Sequence, residues 1–113
     1  SHAVLRRALL SVLGHSYTLS LLFCGDHLSR RLNREHRGID TPTNVLSFPY
    51  SDTSGEIIIN IDAVKRQAVA FSYTPRQFIL YLFIHGLLHL KGLSHGSTME
   101  QEEERLMHIF GRS

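Results

Sequence analysis

Three histidines lie close together near residue 90, and their spacing is that of metal ligands. His85 and His89 are four residues apart, so on an α-helix their side chains share one face, about one turn apart. His95 follows Gly92, a residue that readily adopts positive φ and ends helices, so the chain can turn back toward the first two. Three imidazoles that leave a fourth position open are typical of a catalytic zinc site, whereas structural zinc sites are closed and often contain cysteine. The spacing therefore predicts one zinc ion bound by His85, His89 and His95.

The residue after the first histidine bears on which reaction a metal ion here could catalyse. The spacing H-x-x-x-H-x-x-G-x-x-H is that of the metzincin proteases, which carry a glutamate directly after the first histidine as general base. Here that position is Gly86. Because the ligand pattern is present without the protease base, it argues against a protease and leaves a metal hydrolase open, since zinc alone lowers the pKa of its bound water to about 7.

A second polar cluster surrounds a turn-rich segment near residue 40. Arg37 precedes Gly38, and Thr43, Asn44 and Ser47 follow within ten residues. Arginine binds phosphate groups bidentately, and hydroxyl and amide side chains can supplement it. Arg37, Thr43, Asn44 and Ser47 therefore form a polar, basic patch that could bind a phosphate. Ordinary turn chemistry is the alternative explanation for the same residues.

A long apolar helix must position the first two histidines. Thr74-Pro75 is a strong helix start, with an N-cap followed by proline at the first helical position. The predicted helix runs to about Leu90 and is apolar nearly all the way round, so we expect it to be buried on most sides. A capping box from Ser97 to Glu100 predicts a final helix to about Phe110. We expect Met99, Leu106 and Ile109 to pack on the core, and Glu102, Glu103 and Glu104 to face water or a basic element.

The remaining elements predict an α+β fold, with about five helices packed on a small mixed sheet of three to four strands. Predicted helices cover residues 3–13, 26–36 and 62–71, with Asp26 and Asp62 as N-caps of the latter two. Predicted strands are Tyr17–Cys24, Val45–Tyr50 and Glu56–Ile61. The last two can form an antiparallel pair, and the helix after Asp26 is long enough to connect parallel strands.

Length and composition predict one soluble domain. The 113 residues fit a single domain, 1–113, with a net charge of +2. A single cysteine, Cys24, excludes an intrachain disulfide, and no secretory signal pattern is present. The apolar run from Phe78 to Leu90 is too short to span a bilayer. We therefore expect a cytoplasmic protein that does not interact with membranes.

Three stretches together resemble the YbeY family of bacterial rRNA maturation factors. They are Leu32–Pro49, Gly55–Ile59 and His85–His95. The resemblance implies a metal-dependent, single-strand-specific endoribonuclease that acts in rRNA 3′-end processing and ribosome quality control. It also implies zinc on His85, His89 and His95, with single-stranded RNA or rRNA and small ribosomal subunit proteins as partners. With it we expect Arg37 to be catalytic and to hold a phosphate, and Thr43, Asn44 and Ser47 to contact the substrate as well.

One position departs from the family pattern and leaves other functions open. Ser94 stands where the family usually has an aspartate, which implies weaker metal binding or slower turnover. A non-catalytic, metal-stabilised ribosome-assembly factor is one alternative, and a metal hydrolase or protease of metzincin-like spacing is a less favoured one. The sequence also leaves direct hydrolysis and attack by the RNA 2′-OH both open.

Overall fold

The computed structural model describes residues 2–111, and within them the α+β prediction is confirmed. Three strands form one sheet: β1 (Thr18–Cys24), β2 (Val45–Ser51) and β3 (Ser54–Asn60). Five helices accompany it: α1 (His2–Leu13), α2 (Asp26–Arg37), α3 (Ile61–Gln67), α4 (Pro75–Lys91) and α5 (Ser97–Phe110). A 3-10 turn, Val69–Phe71, follows α3. No helix within residues 2–111 is long and apolar enough to cross a membrane.

The sheet is mixed, with β3 in the middle. Its strand order is β1-β3-β2, in which β1 pairs with β3 in parallel and β2 pairs with β3 antiparallel. Both predicted pairings are thus confirmed. The central strand carries the buried run Ile57–Ile59, as expected of a strand covered on both sides. Pro49 lies on the edge strand β2, next to a register shift, where the missing N–H costs little.

Helix α4 is the core element that carries the first two histidines. Thr74 and Gln77 form a full capping box at its start, with each side chain bonded to the other residue's backbone N–H. The helix packs against β2 and β3 on one side and against α1, α3 and α5 on others. Its side chains Phe78, Ile84 and Leu87 are fully buried. The predicted burial of this helix is therefore confirmed.

The predicted N-caps Asp26 and Asp62 are wrong, because the two residues have different partners. Asn60 caps α3, its side chain accepting hydrogen bonds from the backbone N–H groups of Asp62 and Ala63. The helix consequently begins at Ile61, which had been predicted as the end of a strand. The Asp62 side chain instead accepts from the backbone N–H of Asp26 at 3.0 Å, and so binds the first turn of α2 from outside that helix.

The prediction for the start of α5 and for one of its faces is also wrong. Gly96, not Ser97, is the N-cap, and no side chain caps this helix. Met99 and Leu106 are buried as predicted, but Ile109 is about half exposed. Glu103 lies between the two buried residues on the same face and is itself buried, not in water. The helix therefore presents one carboxylate to the protein interior.

Candidate metal centre

The end of α4 brings the third histidine toward the first two. Gly92 adopts φ 108° and ends the helix, its N–H bonding to the carbonyl of His89. The N–H of Leu93 bonds back to the carbonyl of Leu88 at 3.0 Å. This pair of bonds is a Schellman motif, which needs a left-handed residue such as glycine. The turn reverses the chain, so that His95 in the following loop lies beside His85 and His89.

The three imidazoles form one compact cluster, as the spacing predicts. One ring nitrogen from each of His85, His89 and His95 lies within 4.8 Å of the other two. The Nε2 atoms of His85 and His89 are 3.2 Å apart. A tetrahedral zinc ion with Zn–N bonds of about 2.0–2.1 Å would place two ligand nitrogens roughly 3.3 Å apart. The geometry therefore fits a divalent metal ion bound by three imidazoles.

A buried carboxylate orients one of these imidazoles. Glu103 on α5 contacts Nδ1 of His85 through Oε2. Because a carboxylate only accepts hydrogen bonds, Nδ1 donates the hydrogen of this contact, and Nε2 is the His85 nitrogen that lies beside His89. The His85 and Glu103 side chains are only 18% and 9% exposed, so water screens the contact little. A carboxylate–histidine pair of this kind is the usual support for a metal-binding imidazole.

Sequence reasoning missed Glu103, although the sequence contains a signal for it. Met99, Glu103 and Leu106 recur at positions i, i+4 and i+7 of α5, which places all three on one helix face. A glutamate on an otherwise apolar face is an anomaly that calls for a buried partner. The run Glu102–Glu104 concealed it, because three adjacent acids suggest a solvated surface.

The charge state of His89 also suits metal binding. Burial lowers the pKa of His89, and the neighbouring His85 and His95 lower it further. A backbone hydrogen bond at Leu93 opposes this shift, and the positive charge of Arg37 adds slightly to it. At neutral pH the His89 imidazole is therefore held neutral, which is the form that binds metal ions.

The structure gives a packing reason for Gly86. This residue is buried where α4 crosses the sheet, and Ser47 Oγ donates a hydrogen bond to its carbonyl at 3.3 Å. A Cβ atom at this position would lie 2.9 Å from both Ile57 Cδ1 and Ser47 Oγ. A side chain at position 86 would therefore have to displace Ile57 or Ser47. The position at which metzincins carry their general base faces the sheet in this protein.

Arg37 and the histidines share a cleft. It has a volume of about 210 Å³ and is lined by Arg37, Val45, Ser47, His85 and His89. The guanidinium comes from the last turn of α2, which ends at Gly38 with φ 72°. Within residues 2–111, Arg37 makes no ion pair, so its charge is available to a ligand.

The neighbouring arginines and turn residues have internal partners. Arg30 and Arg34 both bind Asp40 in the exposed loop after α2. Asn44 donates to Gln67 Oε1 at 3.0 Å, and the backbone N–H and carbonyl of Thr43 both bond to the Ser29 hydroxyl. Of the four residues predicted to contact substrate, Arg37 and Ser47 thus line the cleft with the histidines, while Thr43 and Asn44 bind neighbouring segments.

A core helix with three convergent imidazoles, a supporting carboxylate and an arginine across a cleft defines a candidate metalloenzyme. Comparison with known proteins agrees. A family model described as endoribonuclease YbeY matches residues 2–111. A relative from Neorickettsia sennetsu, named endoribonuclease YbeY, is 36% identical over 93% of this chain and 82% of its own length. One from Chlorobium phaeovibrioides with the same name is 36% identical over 87% and 72% respectively.

A solved structure shares the fold. The solution structure of a Thermotoga maritima protein superimposes with a TM-score of 0.67 at 28% identity, covering 95% of this chain and 79% of that one. The chain belongs to the YbeY family of endoribonucleases.

Proposed function

We propose that this protein is a single-domain, metal-dependent endoribonuclease that cuts single-stranded RNA. Its role would be rRNA 3′-end processing and ribosome maturation and quality control in the cytoplasm, with small ribosomal subunit proteins as partners. The observation that carries the proposal is the cleft that Arg37, with no ion pair among residues 2–111, shares with His85 and His89. A cation site in the same cleft as a guanidinium is suited to a phosphodiester, because both groups bind phosphate oxygens.

Each residue of the site has a distinct task in this proposal. His85, His89 and His95 hold one zinc ion, which supplies Lewis acidity toward a phosphate oxygen. Arg37 binds the non-bridging oxygens of the same or the adjacent phosphate and stabilises the charge that develops on them. Glu103 fixes the tautomer and the orientation of His85. Ser47, bonded to the carbonyl of Gly86, keeps the cleft wall in contact with α4.

Peptide hydrolysis is disfavoured by the same geometry. A glutamate at position 86 would have to enter the contact between α4 and the sheet, where even a Cβ lies too close to Ile57 and Ser47. The protein therefore lacks the metzincin base for a structural reason.

The test is to incubate purified protein, with and without chelator, with single-stranded RNA and with casein. We expect metal-dependent cleavage of RNA only, and loss of that cleavage in His89→Ala. RNA cleavage that survives both chelation and His89→Ala would overturn the proposal. Casein cleavage would indicate a protease, and RNA binding without cleavage would indicate an assembly factor.

A further inference from the structure

A second cleft meets the histidine cluster from another side. It has a volume of about 760 Å³ and is lined by ten residues, among them Tyr73, Tyr81, His85, His95, Glu100 and Glu104. That volume lies in the range of about 300–1,000 Å³ usual for small-molecule sites. His85 lines both this cleft and the one that contains Arg37. A ligand at the cluster can therefore extend into two clefts of different chemistry, and the second is called the tyrosine cleft below.

Aromatic rings form one wall of the tyrosine cleft. The ring centroids of Tyr73 and Tyr81 are 5.9 Å apart, and Tyr81 packs on Phe78 at 5.8 Å. Phe78 is fully buried, whereas both tyrosines are only partly buried. The buried ring thus supports a wall whose outer rings remain accessible. Rings arranged in this way can stack on any of the four nucleobases.

Carboxylates line another part of the tyrosine cleft. Glu100 and Glu104 are exposed on α5, and Glu103 lies beneath them in its contact with His85. These negative charges disfavour a phosphate in this cleft, whereas Arg37 favours one in the other cleft. Carboxylates accept hydrogen bonds, and adenine, cytosine and guanine each present an exocyclic amino donor that uracil lacks. The rings and carboxylates of this cleft thus suit a base, whereas Arg37 in the other cleft suits a phosphate.

The two tyrosines and the carboxylates line the same cleft. Burial raises the pKa of Tyr81, and the charges of Glu103, Tyr73 and Glu100 raise it further. The Tyr81 phenol therefore stays neutral at physiological pH. Its hydroxyl remains a hydrogen-bond donor beside the acceptor carboxylates.

We propose that the tyrosine cleft is a nucleobase subsite that receives the base next to the scissile phosphate and prefers amino-bearing bases over uracil. Tyr73 and Tyr81 provide the stacking surface, and Glu104 and Glu100 accept the amino hydrogens. This inference rests on the proposed endoribonuclease function and adds a source of sequence preference to it. Tyr73 and Tyr81 lie outside the three stretches that resemble the family. The preference for a base is therefore carried by residues other than those that hold the metal ion.

The test uses single-stranded oligouridylates in which one position at a time carries adenine, cytosine or guanine. With metal-loaded protein, we expect one position beside the cut at which a base with an exocyclic amino group raises kcat/KM on the order of tenfold over uracil. Glu104→Ala removes an acceptor and should remove most of that ratio. Tyr81→Leu removes a stacking ring and should lower kcat/KM for all four bases at that position by on the order of tenfold. Equal rates for the four bases, or a ratio unchanged in Glu104→Ala, would overturn the subsite.

A matched control and a binding measurement separate this inference from the proposed function. Glu102→Ala removes another carboxylate of α5, one that is paired with Arg105, and should keep the base preference. Binding of the same sequences as 2′-deoxy oligonucleotides, followed by fluorescence anisotropy, reports base preference without cleavage. Preference in binding without any RNA cleavage would retain the subsite and overturn the nuclease. Cleavage without preference in either measurement would do the reverse.

Discussion

Glu103 on α5 bonds Nδ1 of His85 on α4, a contact that joins residues eighteen positions apart in the chain. The orientation of the His85 ring in the histidine cluster therefore depends on how α5 packs against α4. The carboxylate fixes which nitrogen of His85 is free, and both side chains are largely shielded from water. The candidate metal centre is therefore supported by a helix that supplies none of its three ligands.

Replacing Glu103 should weaken metal binding. In Glu103→Gln the amide can still accept a hydrogen bond but no longer carries a charge, and in Glu103→Ala the support is removed. We expect metal affinity to fall by about 10–100-fold, as is usual for lost outer-shell partners, with the larger loss in the alanine variant. The measurement is a competition titration of zinc against a chromophoric chelator.

Glu102→Gln is the matched control for that titration. The adjacent carboxylate pairs with Arg105 at the surface, and its removal should leave zinc affinity unchanged. Equal affinities in Glu103→Ala and the wild type would contradict the role assigned to Glu103.

A side chain at position 86 should lower the free energy of unfolding. Gly86→Ala gains about 1 kcal/mol of helix propensity but meets Ile57 and Ser47 at 2.9 Å, and such overpacking typically costs about 1–3 kcal/mol. We expect a net loss of up to about 2 kcal/mol in the free energy of unfolding. Gly86→Glu adds a buried carboxylate and should lose more than about 3 kcal/mol.

Urea denaturation measures both variants. Gln101→Glu, on the exposed face of α5, introduces the same side chain without the clash and should change stability by less than about 0.5 kcal/mol. A Gly86→Glu protein that is as stable as the wild type, or that digests casein, would show that this position does not contact the sheet as described.

The ion pair between Asp26 and Arg66 should contribute to the decrease of the unfolding free energy at low pH, which is called the acid limb below. The Arg66 side chain, and then the Asn60 amide, lower the pKa of Asp26 from 3.8 to about 2. Since the pKa is lower in the folded protein, the stabilisation is present above pH ~4 and is lost as the pH falls from about 4 to about 2. We expect Asp26→Asn to flatten the pH dependence of the unfolding free energy in that interval.

Arg66→Gln removes the partner cation and should reduce the same acid limb while leaving the Asn60 bond to Asp26 in place. Chemical denaturation at a series of pH values between 2 and 6 compares the three proteins. An acid limb that is identical in all three would show that this pair does not link folding to protons.

Arg37 should be needed for activity and dispensable for folding. Its side chain is exposed and without an ion pair among the described residues, so Arg37→Ala should leave thermal stability and metal content unchanged. We expect RNA cleavage to fall about 10²–10³-fold, the usual effect of removing one group that stabilises developing charge. Arg31→Ala removes another exposed arginine of α2 and should keep most of the activity. Similar activity in Arg37→Ala and Arg31→Ala would remove Arg37 from the site.

The features that depend on neighbouring residues were predictable from the sequence. His85 and His89 are four positions apart on a helix whose start at Thr74-Pro75 is a local signal, and Gly92 alone marks the turn before His95. The pairing of β2 with β3 follows from a short turn between two apolar runs. Each of these depends on contacts within a few residues, which propensity and spacing describe well.

The features that depend on distant segments were not predictable. Asp62 binds the first turn of α2 and Asn60 caps α3, but the two residues are near neighbours and both are good caps, so the sequence does not distinguish them. The boundary at Ile61 is hidden by the run of isoleucines before it. Glu103 reaches His85 only because α5 packs across α4, and no local pattern states which helices will touch.

The central claim, that His85, His89 and His95 hold the metal ion on which RNA cleavage depends, has one direct test. Protein stripped with chelator is titrated with zinc while the rate of single-stranded RNA cleavage is followed. We predict no cleavage in the stripped protein, a rise that saturates near one equivalent per chain, and no rise in His89→Ala. Full cleavage by the stripped protein, or an equal rise in His89→Ala, would contradict it.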